Sequence, residues 1–172
     1  MPDVIKNQPF SRVLIEPTTR LDLEHILRIE QESFSAPWTR KMFEAEMNGN
    51  PFGHLATARL IDEGCEGIER GAIVGYVCFW IVFEELRFMN LAVERAARCR
   101  GIAGELVRHA LAVGRERGAV RAVLEVRASN VAARRLYERV GFRQIAVRAK
   151  YYTNPTEDAL LMGMGHLEAA NS

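Results

Sequence analysis

Val120–Phe142 reads VRAVLEVRASNVAARRLYERVGF, and it decides the fold class. Val120–Val126 is short and rich in valine, which predicts a strand. Asn130 is a good N-cap, and the residues after it run as a helix to Val140, where Gly141 closes it. A strand feeding directly into a capped helix is a unit of an α/β fold. Glu125 falls inside the apolar strand. Carboxylates are rarely buried without a reason, because desolvating the charge costs several kcal/mol. In apolar surroundings a carboxylate is a better proton acceptor near neutral pH. The alternative is an edge-strand glutamate paired with Arg121 or Arg127. Tyr137 lies four residues after Ala133, at the border of the core face, where its hydroxyl can point toward a cleft. The alternative is a core tyrosine with a satisfied hydroxyl. Asn130 can cap its helix and also bond a ligand lying across the strand ends.

Upstream, Asn90-Leu91-Ala92-Val93-Glu94 ends a strand and is followed by RAARCRGIAG, Arg95–Gly104. Gly101 and Gly104 open a helix that runs from about Ile102 to Arg117 and stops at Gly118. Glycines let backbone approach a ligand, and the free N–H groups of a helix N-terminus attract phosphate oxygens. Arg98 and Arg100 add positive charge. Neither GxxxxGK[ST] nor a GxGxxG after a strand is present, so Walker-type and dinucleotide loops are excluded. An ordinary strand-to-helix turn with solvated arginines remains the alternative.

The rest of the chain fits around these units. Arg12–Glu16 is β-rich. Leu21–Phe34 has apolar residues at Leu23, Ile26, Leu27 and Ile29, a helical spacing. Ser35-Ala36-Pro37-Trp38 ends that helix, and Thr39 caps a second one through Met47. His54–Leu60, Ala72–Phe83 and Glu84–Val93 read as strands, the last two as a hairpin. Asp62–Gly71 is a polar, glycine-rich turn. Phe142–Arg148 and Ala159–Met164 are the final strands. The order β-α-α-β-β-β-α-β-α-β-β predicts a mixed sheet, because helices separate some strands but not all.

The 172 residues suit one domain, expected over residues 12–167 with flexible termini at 1–11 and 168–172. A chain that is 48% hydrophobic and 26% charged is not disordered, collagenous or a disulfide scaffold. Net charge is +1, but residues 1–94 sum to −6 and residues 95–172 to +7, with 20 Arg against 3 Lys. Arginine forks match phosphate and carboxylate, so a basic half suits an anionic ligand and an acidic half a cationic one. Solvated charges in an arginine-favouring genome would look the same. Cys65, Cys78 and Cys99 show no CxxC spacing, and His25, His54, His109 and His166 show no metal motif, so no metal is expected. No apolar run reaches the ~18–20 residues of a membrane span, and Met1–Phe10 has no signal-peptide apolar stretch. A cytoplasmic protein is the expectation.

Taken together, these segments resemble the GNAT superfamily of acyl-CoA-dependent N-acetyltransferases. Its Arg/Gln-x-x-Gly-x-Gly/Ala signature is met by Arg98, Gly101 and Ala103. LEVRASN (Leu124–Asn130) and LYERVGF (Leu136–Phe142) are the more specific matches. With APW (Ala36–Trp38), NLAV (Asn90–Val93) and Tyr151-Tyr152, they resemble the branch that acetylates the N-terminal alanine of a ribosomal protein. The similarity runs from about Leu14 to Met164.

The resemblance implies a mostly antiparallel sheet of about seven strands, flanked by four helices, with splayed central strands. It implies acetyl-CoA as cosubstrate. Leu91, Ala92 and Val93 would offer backbone groups to the pantetheine arm. Arg98, Cys99, Arg100, Gly101, Ile102, Ala103 and Gly104 would cradle the pyrophosphate, and Asn130 would contact the coenzyme. Glu125 falls on the family's proton acceptor and Tyr137 on its proton donor, which also meets the coenzyme. Phe34–Phe43 would wall the peptide side. The implied partner is the N-terminal segment of a protein, ribosomal by resemblance, with no membrane or direct nucleic-acid contact and a monomeric or weakly dimeric state. Another amine (a lysine side chain, other N-termini, a polyamine) and a non-catalytic acyl-CoA sensor are the alternatives.

Three departures stand out. Ala103 replaces the commoner glycine. Glu105 stands where relatives often have Arg or Lys, and its carboxylate would repel phosphate. Asp62–Gly71 is longer than usual. Cys99 is no nucleophile by this reading, because it sits in the phosphate loop without a histidine at useful spacing.

Overall fold

The computed structural model describes residues 12–61 and 70–167. Its strands are β1 (Val13–Pro17), β2 (Gly53–Leu60), β3 (Ile73–Val82), β4 (Glu85–Val93), β5 (Arg121–Arg127), β6 (Arg143–Thr153) and β7 (Thr156–Gly165). Its helices are α1 (Leu23–Ser33), α2 (Arg40–Asn48), α3 (Ile102–Glu116) and α4 (Val131–Val140). The seven strands make one sheet in the order β1-β2-β3-β4-β5-β7-β6. Every pairing is antiparallel except β4 with β5. The mixed, mostly antiparallel sheet with four helices is the architecture expected from the sequence.

Local chemistry sets the helix ends. The Thr39 hydroxyl accepts from the Met42 N–H at 3.4 Å at the start of α2, and Asn130 Oδ1 accepts from the Ala133 N–H at 3.1 Å at the start of α4. Helix α1 starts at Leu23, not Leu21. Asp22 is pulled inward, accepting from the Thr19 backbone and hydroxyl and from Arg59, and a 3₁₀ turn takes the preceding residues.

Two layers cover the sheet. On one face Leu23, Ile26 and Ile29 of α1 and Phe43 of α2 pack on Ile73, Tyr76 and Ala92. On the other, α3 and α4 bury Leu106, Val107, Ala110 and Tyr137 against Leu86, Phe88, Leu124 and Val126. Helix α3 lies close on β4 because residue 114 is glycine. A Cβ there would stand 2.6 Å from Leu86 Cδ1.

The final hairpin is longer than the sequence suggests: β6 continues past Arg148 to Thr153, and β7 begins at Thr156, ahead of Ala159. β6 is an edge strand of the sheet and nearly all of it is exposed, so no apolar alternation marks it. Of the polar turn expected over Asp62–Gly71, residues 62–69 lie outside the described residues. Gly71 closes it, donating from its N–H to the Leu60 carbonyl at 2.7 Å.

Candidate active site

The central feature is an opening between β4 and β5. The two strands pair for only three residues (Glu85 with Arg121, Leu86 with Ala122, Arg87 with Val123), although β4 continues to Val93 and β5 to Arg127. Just past the last pair, Cys78 of β3 faces Asn90 and Phe79 faces Phe88, so Met89 is an unpaired bulge. A bulge bends its strand and increases the local twist, which turns β4 away from β5.

Beyond the bulge the backbone direction can be read from one bond. The Glu94 N–H donates to Val74 on β3 at 2.7 Å. By alternation, Leu91 and Val93 direct their peptide groups the other way, into the opening. The Leu91 N–H is engaged by Asn90 Oδ1 at 3.1 Å, and the Val93 carbonyl accepts from Arg98 Nε at 3.0 Å. Among the described residues this leaves the Leu91 carbonyl and the Val93 N–H turned toward the opening, a pair suited to an extended amide-bearing chain.

Glu125 stands two residues past Val123, the last paired residue of β5. Val123 and Arg127 alternate onto the same side as Glu125, opposite the α3 and α4 layer that holds Leu124 and Val126. Its side chain is 12% exposed and is not the lone apolar carboxylate that the sequence suggests. Oε1 is paired with Arg87 at 3.2 Å and with Arg148 at 3.7 Å. Arg121 and Arg127, the neighbours that sequence offers as partners, are engaged elsewhere: Arg121 with Glu85 at 2.9 Å, Arg127 with Glu157 at 3.5 Å. Oε2 of Glu125 has no partner among the described residues and remains an open acceptor.

Tyr137 lies on the other face of the sheet, in the core layer under α4. Its ring is edge-on to Phe142 at 5.9 Å, and Phe142 is edge-on at 6.0 Å to Phe88, the first β4 residue past the paired stretch. Burial pushes the phenol up to about 12, with a smaller contribution from Tyr152. Burial, and then the neighbouring Tyr151, push the Tyr152 phenol up as well. No hydrogen bond engages the Tyr137 hydroxyl among the described residues.

The arginine-glycine loop has the backbone expected of it and a different side-chain arrangement. Gly101 adopts φ +82° as the N-cap of α3, and Cys99 adopts φ +62°. Arg98 does not face the loop. Its guanidinium folds back to the Val93 carbonyl and, at 3.1 Å, to Ser33 Oγ at the end of α1. The opening N–H groups of α3, from Ile102, Ala103 and Gly104, have no acceptor within the helix and form a backbone feature that can receive an anion. Glu105, the residue of the wrong sign, is paired with Arg108 at 3.3 Å, which offsets its charge. Both side chains, with Arg12, Val13, Ile61, Arg100 and Gly101, line a surface cavity of about 490 Å³ outside this helix end. Cys99 is exposed, and no base is hydrogen-bonded to it among the described residues.

On the Glu125 side, two segments flank the opening. Ser35 Oγ, between α1 and α2, donates to the Asn154 carbonyl at the tip of the β6–β7 hairpin at 2.6 Å. Arg127 holds the same tip, donating to the Asn154 carbonyl at 3.1 Å and the Pro155 carbonyl at 3.0 Å, with its guanidinium 4.3 Å over the Tyr152 ring. Among the described residues no group of His, Cys, Asp or Glu could hold a metal ion, and no helix is long and apolar enough to cross a membrane.

A family model for the GNAT acetyltransferase family matches residues 23–142, from the first turn of α1 to the end of the α4 unit. The chain belongs to the GNAT family. It is an acyltransferase by that membership, and GNAT enzymes use acetyl-CoA. Two bacterial GNAT relatives are similar over most of their length. A Bacillus subtilis (strain 168) protein, provisionally named a ribosomal protein bS18-alanine N-acetyltransferase, is 35% identical over 142 residues, covering 82% of this chain and 87% of the relative. The Escherichia coli (strain K12) ribosomal protein bS18-alanine N-acetyltransferase is 30% identical over 145 residues, covering 83% and 90%. The crystal structure of the Escherichia coli ribosomal-protein-S18-alanine N-acetyltransferase superposes with a TM-score of 0.78 at 27% identity, over 92% of this chain and 97% of that one. Arabidopsis thaliana NAA60 in complex with acetyl-CoA shares the fold, with a TM-score of 0.79 at 21% identity over 90% and 98%.

Sequence reasoning missed Arg87 and Arg148 beside Glu125, the Arg127 clamp and the buried Glu30 under α1. Only Glu30 left a trace: it follows Ile26 by four residues, on the apolar side of its helix.

Proposed function

We propose that this GNAT enzyme transfers the acetyl group of acetyl-CoA to the N-terminal amine of a protein, an N-terminal alanine on a ribosomal protein. The observation that carries the reading is the parting of β4 and β5, with Glu125 on one face of β5 and Tyr137 in the core layer on the other. The two bacterial relatives, whose names state that activity, support the choice of substrate.

The coenzyme's pantetheine would lie along β4, bonding the Leu91 carbonyl, with the Val93 N–H at its thioester carbonyl and Ala92 between them anchoring the strand. Its pyrophosphate would meet the opening amides of α3 at Gly101–Gly104, flanked by Cys99 and Arg100, with Asn130 contacting it from the start of α4. Arg98 shapes this cradle by fixing the strand end. The peptide would enter between the α1–α2 segment and the β6–β7 hairpin.

An N-terminal amine has a pKa near ~7.7–8.0, so a mild acceptor suffices to expose its nucleophilic form. Glu125 Oε2 takes that proton, directly or through a water. The amine nitrogen bonds to the thioester carbon, the Val93 N–H holds the developing oxyanion, and the C–S bond breaks. A preorganised donor of this kind contributes about 2.7–4 kcal/mol. Tyr137 donates a hydrogen bond to the leaving sulfur. Its phenol at about 12 is a much weaker acid than a thiol near ~8.5, so complete proton transfer is uphill by about 5 kcal/mol and the sulfur departs hydrogen-bonded.

The test is mass spectrometry of peptides beginning with Ala, Ser, Met, Glu or Lys, incubated with acetyl-CoA. Acetylation of the α-amine of the Ala peptide is expected; modification of lysine side chains alone overturns the assignment. The acidic first half would draw in a basic polypeptide. Peptide KM should then rise with salt, and a flat response would make the charge asymmetry incidental.

A further inference from the structure

Helix α1 places a carboxylate in its buried stripe. Glu30 is 1% exposed. Its Oε1 accepts from the Trp38 N–H at 2.8 Å and from Asn90 Nδ2 at 3.0 Å. Its Oε2 accepts from Asn90 Nδ2 at 3.1 Å and from the Tyr76 hydroxyl. Among the described residues no Lys, Arg or His is ion-paired with it. Burial, and then the Glu30 charge, push the Tyr76 phenol well up, which keeps it a donor. A buried carboxylate served only by neutral donors is a costly way to fill a core position, since an apolar residue of similar volume would pack without desolvating a charge.

The partners show what the carboxylate joins. Trp38 belongs to the segment between α1 and α2. Asn90 follows the Met89 bulge on β4, and its Oδ1 holds the Leu91 N–H at the opening. Tyr76 is on β3, directly across from Ala92. One side chain therefore ties the outer segment to the bulged strand. The other end of that segment is held by Ser35 to the β6–β7 hairpin at 2.6 Å.

We infer that Glu30 is a positioning residue: it pins the α1–α2 wall to β4 at the bulge and sets the width of the slot that admits the amine substrate. This rests on the proposed entry of the peptide between those walls. The coenzyme's pyrophosphate would sit at α3, on the opposite face of the sheet from Glu30, and on β4 it would use the Leu91 carbonyl and the Val93 N–H rather than the Leu91 N–H that Asn90 holds. Loss of the pin should weaken the amine substrate selectively.

Glu30→Gln keeps the volume and replaces one acceptor oxygen with a donor that faces donors. The peptide KM should rise about tenfold, while the acetyl-CoA KM and the CoA affinity by calorimetry stay within twofold. Amide hydrogen exchange at Trp38 should quicken. Should Glu30→Gln not fold, Tyr76→Phe removes one donor at constant shape, and the peptide KM alone should rise about threefold. A parallel rise in both KM values, or a lowered melting temperature with unchanged kinetics and Trp38 exchange, overturns the inference. The wild-type peptide panel judges the reaction independently, and the kinetic comparison is run on whichever amine the wild type accepts. The Trp38 exchange readout needs no turnover, so the two ideas fail separately.

Discussion

Replacing Tyr137 by phenylalanine separates a hydrogen-bond donor from a titrating acid. The phenol is buried against Phe142, and burial holds it at about 12. The departing thiolate corresponds to a thiol near ~8.5. A hydrogen bond to a charged group is worth about 1.5–3 kcal/mol, or roughly 10- to 150-fold in rate at about 1.36 kcal/mol per decade. Tyr137→Phe should therefore lower kcat by about that factor, with little change in the CoA affinity. The sign of the pH effect follows. The donor form exists below the folded pKa and is lost only as pH rises through about 12, so Tyr137 contributes no alkaline fall in kcat between pH 7 and 10. The assay is release of the free CoA thiol with a saturating N-terminal peptide, followed from pH 6 to 10.5 for both proteins. A wild-type fall in kcat near pH 9–10 that vanishes in the variant would refute the argument. So would a variant within twofold of wild type.

Further outcomes are expected. Glu125→Gln should reduce kcat by about 10²–10⁴ and leave the CoA affinity by calorimetry unchanged; near-normal turnover removes Glu125 from the chemistry. Gly101→Ala forces a left-handed N-cap on a residue with a side chain, at about 1–2 kcal/mol, so thermal unfolding should drop by several degrees and CoA binding weaken. Arg127→Ala releases the Asn154 and Pro155 carbonyls; limited proteolysis should begin at that hairpin tip, and the peptide KM should rise more than the acetyl-CoA KM. Tyr137 also makes the fold alkali-sensitive. Its folded pKa of about 12 exceeds the unfolded value near ~10, so its stabilisation is complete below pH 10 and falls above it, and urea midpoints should be lower at pH 10.5 than at pH 8.

Local rules made part of this molecule legible. Asn130 and Gly141 bracket α4, Thr39 caps α2, and the valine-rich run at Val120–Val126 forms β5, because each depends on neighbours within a few residues. The loop at Arg98–Gly104 was legible as a glycine turn, while the fate of the Arg98 guanidinium depended on Val93 and Ser33, which only the fold brings near. Glu125 shows the same boundary. Its sequence neighbours Arg121 and Arg127 are drawn to Glu85 and to the hairpin tip, and its partners arrive from β4 and β6. The parting of β4 from β5 came only from family resemblance, since a bulge at Met89 leaves no periodic mark. The outer half of β6 is not legible because the strand is exposed along nearly its whole length and carries no alternation. Glu30 falls in the apolar stripe of α1, but a glutamate in a helix is so ordinary that spacing alone gives it no weight.

The short seam between β4 and β5 has a mechanical consequence. Two half-sheets, β1 to β4 and β5 to β6, meet through three rungs, and an extended guest lodged between them supplies the rungs that are absent. Such a guest braces the scaffold as well as reacting on it: at a hundredfold excess over its Kd, any ligand bound only to the folded state adds about 2.7 kcal/mol of cohesion. The protein should be stiffest while charged with its donor and loosest after the product leaves, so each turnover would tighten and relax the two halves.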